Sequence, residues 1–234
     1  MKNLNQQIFV PVFDKLNLLD NEICRKCNAF FRTPLIPWAV GEKYDASDYK
    51  VLFVGKPHRG DGVAITKHAF YLETDSDWFM KVKWPYWRYT GEIANRLYDK
   101  KGKEGWDYVA LSNVIKCSSA LKQDCTTKEM VDCCIKGNAV IWKEIEILKP
   151  KNIVFYTYKL PFGKTALKDI PFNNQLLDEN DEPRKCGNKI IRWWTRTLVT
   201  DWGKMNVLVT YHPERLCKED FVQMICEWVK GNAK

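Results

Sequence analysis

The sequence predicts an α/β fold: a three-layer α/β/α sandwich around a central four-stranded parallel sheet. Two observations predict it. Four short runs of β-branched and apolar residues, at 50–55, 108–112, 151–156 and 205–210, are bounded by turn residues, as strands buried on both faces are. Between them lie stretches with helical spacing or helix-cap chemistry, so the connections read as crossovers between parallel strands. A chain of 234 residues with 45% hydrophobic content can bury one such core, and it reads as a single domain over 1–234.

The elements follow in order. A short helix is expected over 12–22, and then comes Cys24-Arg-Lys-Cys27, whose spacing sets two sulfurs on one side of a tight turn, as metal sites need. Residues 30–48 contain Pro34, Pro37 and Gly41 and read as loop. The first strand reaches Gly55 and runs into Lys56-Pro-His-Arg-Gly-Asp-Gly62. A glycine-rich loop at the C-terminal end of a parallel strand is where α/β sheets bind ligands, although the phosphate-loop pattern is absent. An insertion at about 63–90 is rich in aromatics, Phe70, Tyr71, Trp78, Trp84 and Tyr86 among them, interleaved with Lys81, Lys83 and Arg88. Such a stretch suits base stacking with phosphate contact, or a satellite core under a long loop.

A helix with an apolar stripe is expected over 90–98. The second strand ends in Leu111-Ser-Asn-Val-Ile-Lys-Cys117, delivering the amide of Asn113 to one site and the thiol of Cys117 to another. Thr126 or Thr127 caps a helix that continues to about Leu148 and is stopped by Pro150. After the third strand, 160–188 reads as irregular, with the acidic run Asp178-Glu-Asn-Asp-Glu182 as a solvated excursion. A strand over 190–199 turns back at Asp201-Trp-Gly203 into the fourth core strand, which ends at Thr210-Tyr-His-Pro213. Residues 218–230 form a closing helix.

The formal net charge of +8 fits an anionic partner such as nucleic acid. The polar start and the lack of a long apolar run give the expectation of an intracellular, cytoplasmic protein with no membrane partner. Nine cysteines in such a chain argue for metal ligation or free thiols rather than a disulfide framework.

Taken together, Cys24/Cys27, Gly55-Lys-Pro57, Ser112-Asn-Val-Ile-Lys-Cys117, Cys133 and Thr210-Tyr-His-Pro213 resemble the uracil-DNA glycosylase superfamily, most closely its iron–sulfur branch of the family-four and family-five type. The resemblance runs through about 24–216. It implies a DNA glycosylase, an enzyme that flips a damaged or modified base out of the stack and hydrolyses its N-glycosidic bond. It also implies a 4Fe–4S cluster on Cys24, Cys27, Cys117 and Cys133, with zinc as the alternative ion and Cys134 as the alternative to Cys133.

By the same resemblance Asn113 reads the base edge and His212 donates to the base as charge builds on it. Gly55 lines the pocket, and Phe70 or Tyr71 stacks on the base. Arg215, Lys56 and Arg59 hold DNA, and Leu216 wedges into the duplex. DNA is the implied partner, with no obligate protein partner and a monomer as the working unit. The first loop departs from the family, which places an acid or amide there in patterns such as GExPG or GQDPY. Here Lys56 follows Gly55, and Asp61 or His58 is left to act on the sugar or its water. That departure, with the aromatic insertion, extends the expected substrate from uracil to a modified pyrimidine such as glucosylated hydroxymethylcytosine, which antiviral members of the superfamily remove from phage DNA.

Overall fold

The computed structural model describes residues 15–17, 20–29, 39–57, 84–117, 125–158 and 168–232. In chain order the strands are β1 (Ala39–Val40), β2 (Val51–Gly55), β3 (Val109–Asn113), β4 (Asn152–Phe155), β5 (Asn174–Asp181), β6 (Arg184–Cys186), β7 (Lys189–Ile191), β8 (Trp193–Thr200) and β9 (Gly203–Thr210). The helices are α1 (Glu22–Arg25), α2 (Pro85–Tyr98), α3 (Lys128–Val131), α4 (Val140–Leu148) and α5 (Lys218–Gly231).

β2 is apolar on both sides and wholly buried, and it lies mid-sheet with β3 and β4 paired parallel on its two edges. β9 pairs parallel to β4. These four strands are the four runs read from the sequence. They do not make the whole sheet, which among the described residues has seven strands in the order β1-β3-β2-β4-β9-β8-β5. The three additional strands are antiparallel: β1 on β3, and the β8–β9 hairpin extended by β5. The hairpin turns at Asp201-Trp202 as the sequence indicates.

Side chains along a strand alternate between faces, and the core divides accordingly. Leu52, Val54, Ile153, Phe155, Val207 and Val209 join one apolar cluster with Ile141, Trp142 and Ile145 of α4. Val51, Phe53, Val154, Tyr156 and Leu208 join the other with Ile93 and Leu97 of α2 and Phe221 and Ile225 of α5.

Several elements differ from the sequence reading. β1 lies within 30–48, read as loop. α2 begins at Pro85 rather than at 90. Proline fits a first helical turn because its missing N–H would have no partner there. The helix expected from Thr127 to Leu148 does begin at Thr127, whose hydroxyl accepts from Met130 N, but it does not run through. A π-helical stretch, Asp132–Gly137, interrupts it, and Ala139 adopts φ 54° before α4 restarts. The acidic run at 178–182 is solvent-exposed, yet its first four residues belong to an ordered edge strand, β5, rather than an irregular excursion. No helix among the described residues is long and apolar enough to cross a membrane.

Candidate functional site

From β2 the chain passes first to β3 on one side and later to β4 on the other. The C-terminal ends of these strands therefore border a topological switch point, where open α/β sheets form a crevice. Gly55 ends β2 and Asn113 ends β3, opposite each other in register. Asn113 is 4% exposed, and its amide oxygen lies 2.7 Å from where a Cβ on residue 55 would stand. The same Cβ would sit 3.0 Å from the Tyr86 ring. Only glycine at 55 lets amide and ring approach the strand end this closely.

Tyr86, at the start of α2, completes the corner. Its ring lies nearly parallel to the His212 imidazole (interplanar angle 18°, centroids 6.1 Å apart) and edge-on to Tyr156 (5.7 Å). Burial raises the Tyr86 phenol above its ordinary range, so it stays protonated. His212 follows β9, and its Nδ1 accepts the Glu214 backbone N–H at 3.3 Å. In the neutral ring that bond assigns the proton to Nε2, leaving this nitrogen as a donor.

The turn beyond His212 is held in an unusual shape. Arg215 is exposed with φ 63°, a left-handed conformation for a side chain with a Cβ. Its carbonyl accepts from Lys189 Nζ of β7, and Leu216 N donates to Pro213 O at 3.2 Å. Leu216 is half-buried against the α2/α5 core cluster, with its carbonyl accepting from Tyr89 Oη at 2.9 Å. It is thus anchored as well as placed beside the site. Lys56 is half-buried directly after Gly55.

Gly55, Lys56, Asn113, His212, Arg215 and Leu216 therefore all lie at the strand ends or in the two loops leaving them. His58, Arg59, Asp61, Phe70 and Tyr71 lie outside the described residues. Tyr86 was not distinguished by sequence reasoning. It is one of several aromatics in its stretch, and its only separate signal is Pro85, which marks a helix start and so places the next ring at a helix end.

A second site holds thiols. Asn21 caps α1 by accepting Cys24 N at 2.7 Å, and its amide nitrogen donates to Asn138 Oδ1 at 2.9 Å. Asn138 in turn donates to Cys24 Sγ at 3.3 Å. A Cβ on Gly137 would come within 2.7 Å of Ile23, so α1 packs directly on the π-helical stretch. Cys133 Sγ, within that stretch, donates to Ile23 O at 3.2 Å. Burial first, then the neighbouring Cys27 and Cys24, push the Cys133 thiol up to about 11. Cys24 lies within α1 rather than on a simple turn. Cys117 is buried in the turn after β3, and the backbone N–H of the preceding Lys116 reaches the Cys134 sulfur.

Three of the four expected ligands, from segments about a hundred residues apart, thus share one neighbourhood, and the fourth lies one residue from a contact with Cys134. Sulfur-only donors of this kind suit iron–sulfur clusters or zinc. As the side chains stand, no three His, Cys, Asp or Glu among the described residues are set to hold a metal ion.

Behind Asn113 lies a buried ion pair. Lys116 Nζ meets Glu144 Oε2 at 2.7 Å, Ser112 Oγ at 2.8 Å and Asn113 O at 2.6 Å. Ser112 Oγ donates to the same Glu144 oxygen at 2.5 Å. Burial lowers the Lys116 pKa and raises that of Glu144, while each charge opposes the shift of the other.

No protein-family model matches the chain, and no curated protein matches it.

The crowding at Gly55 makes one substitution informative. Gly55→Ala is expected to displace the Asn113 amide or the Tyr86 ring, and a reaction carried out at this corner would then slow by about 10²-fold, since displacements near 1 Å at a reacting site cost that much. Steady-state kinetics beside a thermal melt measures it, and unchanged turnover would show that the corner is not where substrate binds.

Proposed function

We propose that this chain is a DNA N-glycosylase, which takes a flipped base into the corner between Gly55, Asn113, Tyr86 and His212 and hydrolyses its bond to the sugar. The observation that carries this reading is the placement of Gly55 and the Asn113 amide at the C-terminal ends of adjacent parallel strands, with the Tyr86 ring against Gly55 and beside the His212 imidazole that follows β9. The three-layer arrangement around four parallel strands belongs to the same reading, with the two core clusters as its support.

An amide offers a donor and an acceptor side by side, so Asn113 can pair with a pyrimidine edge. As the C1′–N bond breaks, its electron pair passes to the base and negative charge grows on the base oxygen. His212 Nε2–H stabilises that charge, and water adds to the sugar carbon to leave an abasic site. Asp61 or His58 is the group assigned to the sugar or the water. Phe70 or Tyr71 remains a candidate stacking ring beside Tyr86. Arg215, Lys56 and Arg59 provide phosphate contacts, and Leu216 enters the duplex.

The thiols of Cys24, Cys27, Cys117 and Cys133 fit a resident 4Fe–4S cluster, or zinc, that would tie the N-terminal segment to the turn after β3. Protein purified without oxygen is expected to be brown with about four irons per chain, and Cys133→Ser to lose the iron. Zinc in its place would assign the alternative ion, and metal-free protein would refute the site.

A second reading, a DNA-binding relative without catalysis, is favoured by Lys56, which stands where the family carries an acid or amide. Labelled DNA bearing uracil, hypoxanthine, hydroxymethylcytosine or its glucosylated form separates the two. Alkaline strand cleavage at one of these bases supports the glycosylase, and uracil or modified cytosine as the cleaved base assigns repair or antiviral defence. Tight binding with no cleavage supports the second reading.

A further inference from the structure

We propose that Lys116 and Glu144 are positioning residues for Asn113: the buried ammonium grips the Asn113 carbonyl and thereby aims the amide that meets the base. The proposal rests on the reading of Asn113 as the base-binding amide.

Asn113 is the last residue of β3, where the strand ladder ends and the backbone would otherwise be loose. The peptide unit that follows it is fixed at both of its polar atoms. Its N–H, on Val114, donates to Gly55 O at 3.1 Å. Its carbonyl accepts Lys116 Nζ at 2.6 Å. With Asn113 also paired to Gly55 in the β2–β3 ladder, a peptide plane held at both polar atoms fixes the backbone on both sides of its Cα and so the direction of the Cα–Cβ bond. The other two Lys116 protons go to Ser112 Oγ at 2.8 Å and Glu144 Oε2 at 2.7 Å, which exhausts the three donors of an ammonium group. Glu144 Oε2 also accepts Ser112 Oγ, whereas Glu144 Oε1 is buried with no hydrogen-bond partner among the described residues.

This is an expensive arrangement for stability alone. Both side chains are essentially unexposed, and an apolar pair of similar volume commonly holds such a place as well or better. What an apolar pair cannot supply is the donor on the Asn113 carbonyl. Because Lys116 also precedes Cys117, the grip lies between the thiol site and the base site and links their geometry.

The double variant Lys116→Met/Glu144→Leu separates positioning from packing. Its melting temperature is expected to return close to that of the native protein, above either single variant. The Asn113 side-chain amide resonances, identified by their disappearance in Asn113→Asp, are expected to shift and broaden. Base release is expected to fall about 10²-fold, with the loss in kcat larger than the change in KM. A double variant with native stability and unchanged Asn113 resonances would overturn the proposal, whatever its activity. If the native protein releases no base from any substrate, the glycosylase reading fails, and the resonances still decide whether Lys116 positions Asn113. Should the double variant not fold, the scalar coupling across the hydrogen bond from Lys116 Nζ to the Asn113 carbonyl carbon in the native protein decides: a measurable coupling upholds the grip, and an ammonium that shows none and exchanges freely with solvent refutes it.

Discussion

His212→Ala is expected to slow base release by about 10²–10³-fold, corresponding to about 3–4 kcal/mol in the barrier, while DNA binding is little changed. The asymmetry follows from when the interaction forms. Nδ1 is engaged by the Glu214 N–H, which assigns the donor role to Nε2. A donor aimed at an oxygen that becomes anionic only as the glycosidic bond breaks adds little to ground-state binding and much to the transition state. The Glu214 N–H bond to Nδ1 orients the imidazole, and the nearly parallel Tyr86 ring lies beside it with centroids 6.1 Å apart. Single-turnover release against titrated DNA affinity measures both quantities. Equal losses in affinity and rate would make His212 a binding group only, and an unchanged rate would move the donor role elsewhere.

Glu144→Leu is expected to destabilise the protein by about 3–5 kcal/mol, because it leaves the Lys116 ammonium buried without its counter-charge. In a chain of this size that corresponds to a fall in melting temperature of about 6–20 °C. The two remaining Lys116 acceptors, Ser112 Oγ and Asn113 O, are neutral and replace only part of the lost attraction. Thermal unfolding followed by circular dichroism reads the effect directly. A loss of less than about 3 °C would show that water reaches the lysine, and that the pair does not carry the energy of a buried charge.

What was legible in the sequence, and what was not, divides along physical lines. The four parallel strands could be read because burial on both faces forces continuous apolar runs such as Val51-Leu-Phe-Val54. Asn113 and His212 could be singled out because a polar residue at the end of such a run lies at the crevice by topology. β5 could not be read: Asn174–Asp181 is almost wholly exposed and acidic, and it is a strand only because β8 offers its backbone edge, with a register shift between Leu176 and Asp178. The break in the Thr127–Leu148 helix was equally hidden, since it is stabilised by contacts distant in sequence, with Asn138 bonded to Asn21 and Cys24. Lys116 and Glu144 look like surface charges in the sequence, and only the packing of α4 against the end of β3 buries them together. Spacing in the sequence joins Cys24 to Cys27, and grouping them with Cys133 rests on the resemblance to a family. The Asn21–Asn138 bonds that hold α1 in place were not.

The central claim is that the corner at Gly55, Asn113, Tyr86 and His212 breaks a C–N bond in DNA. Mass spectrometry of the small-molecule fraction, after protein purified without oxygen has been incubated with uracil-containing and modified-cytosine DNA, tests it most directly. The account predicts a free base released by the native protein and greatly diminished by His212→Ala. DNA that is bound but yields no free base would contradict it.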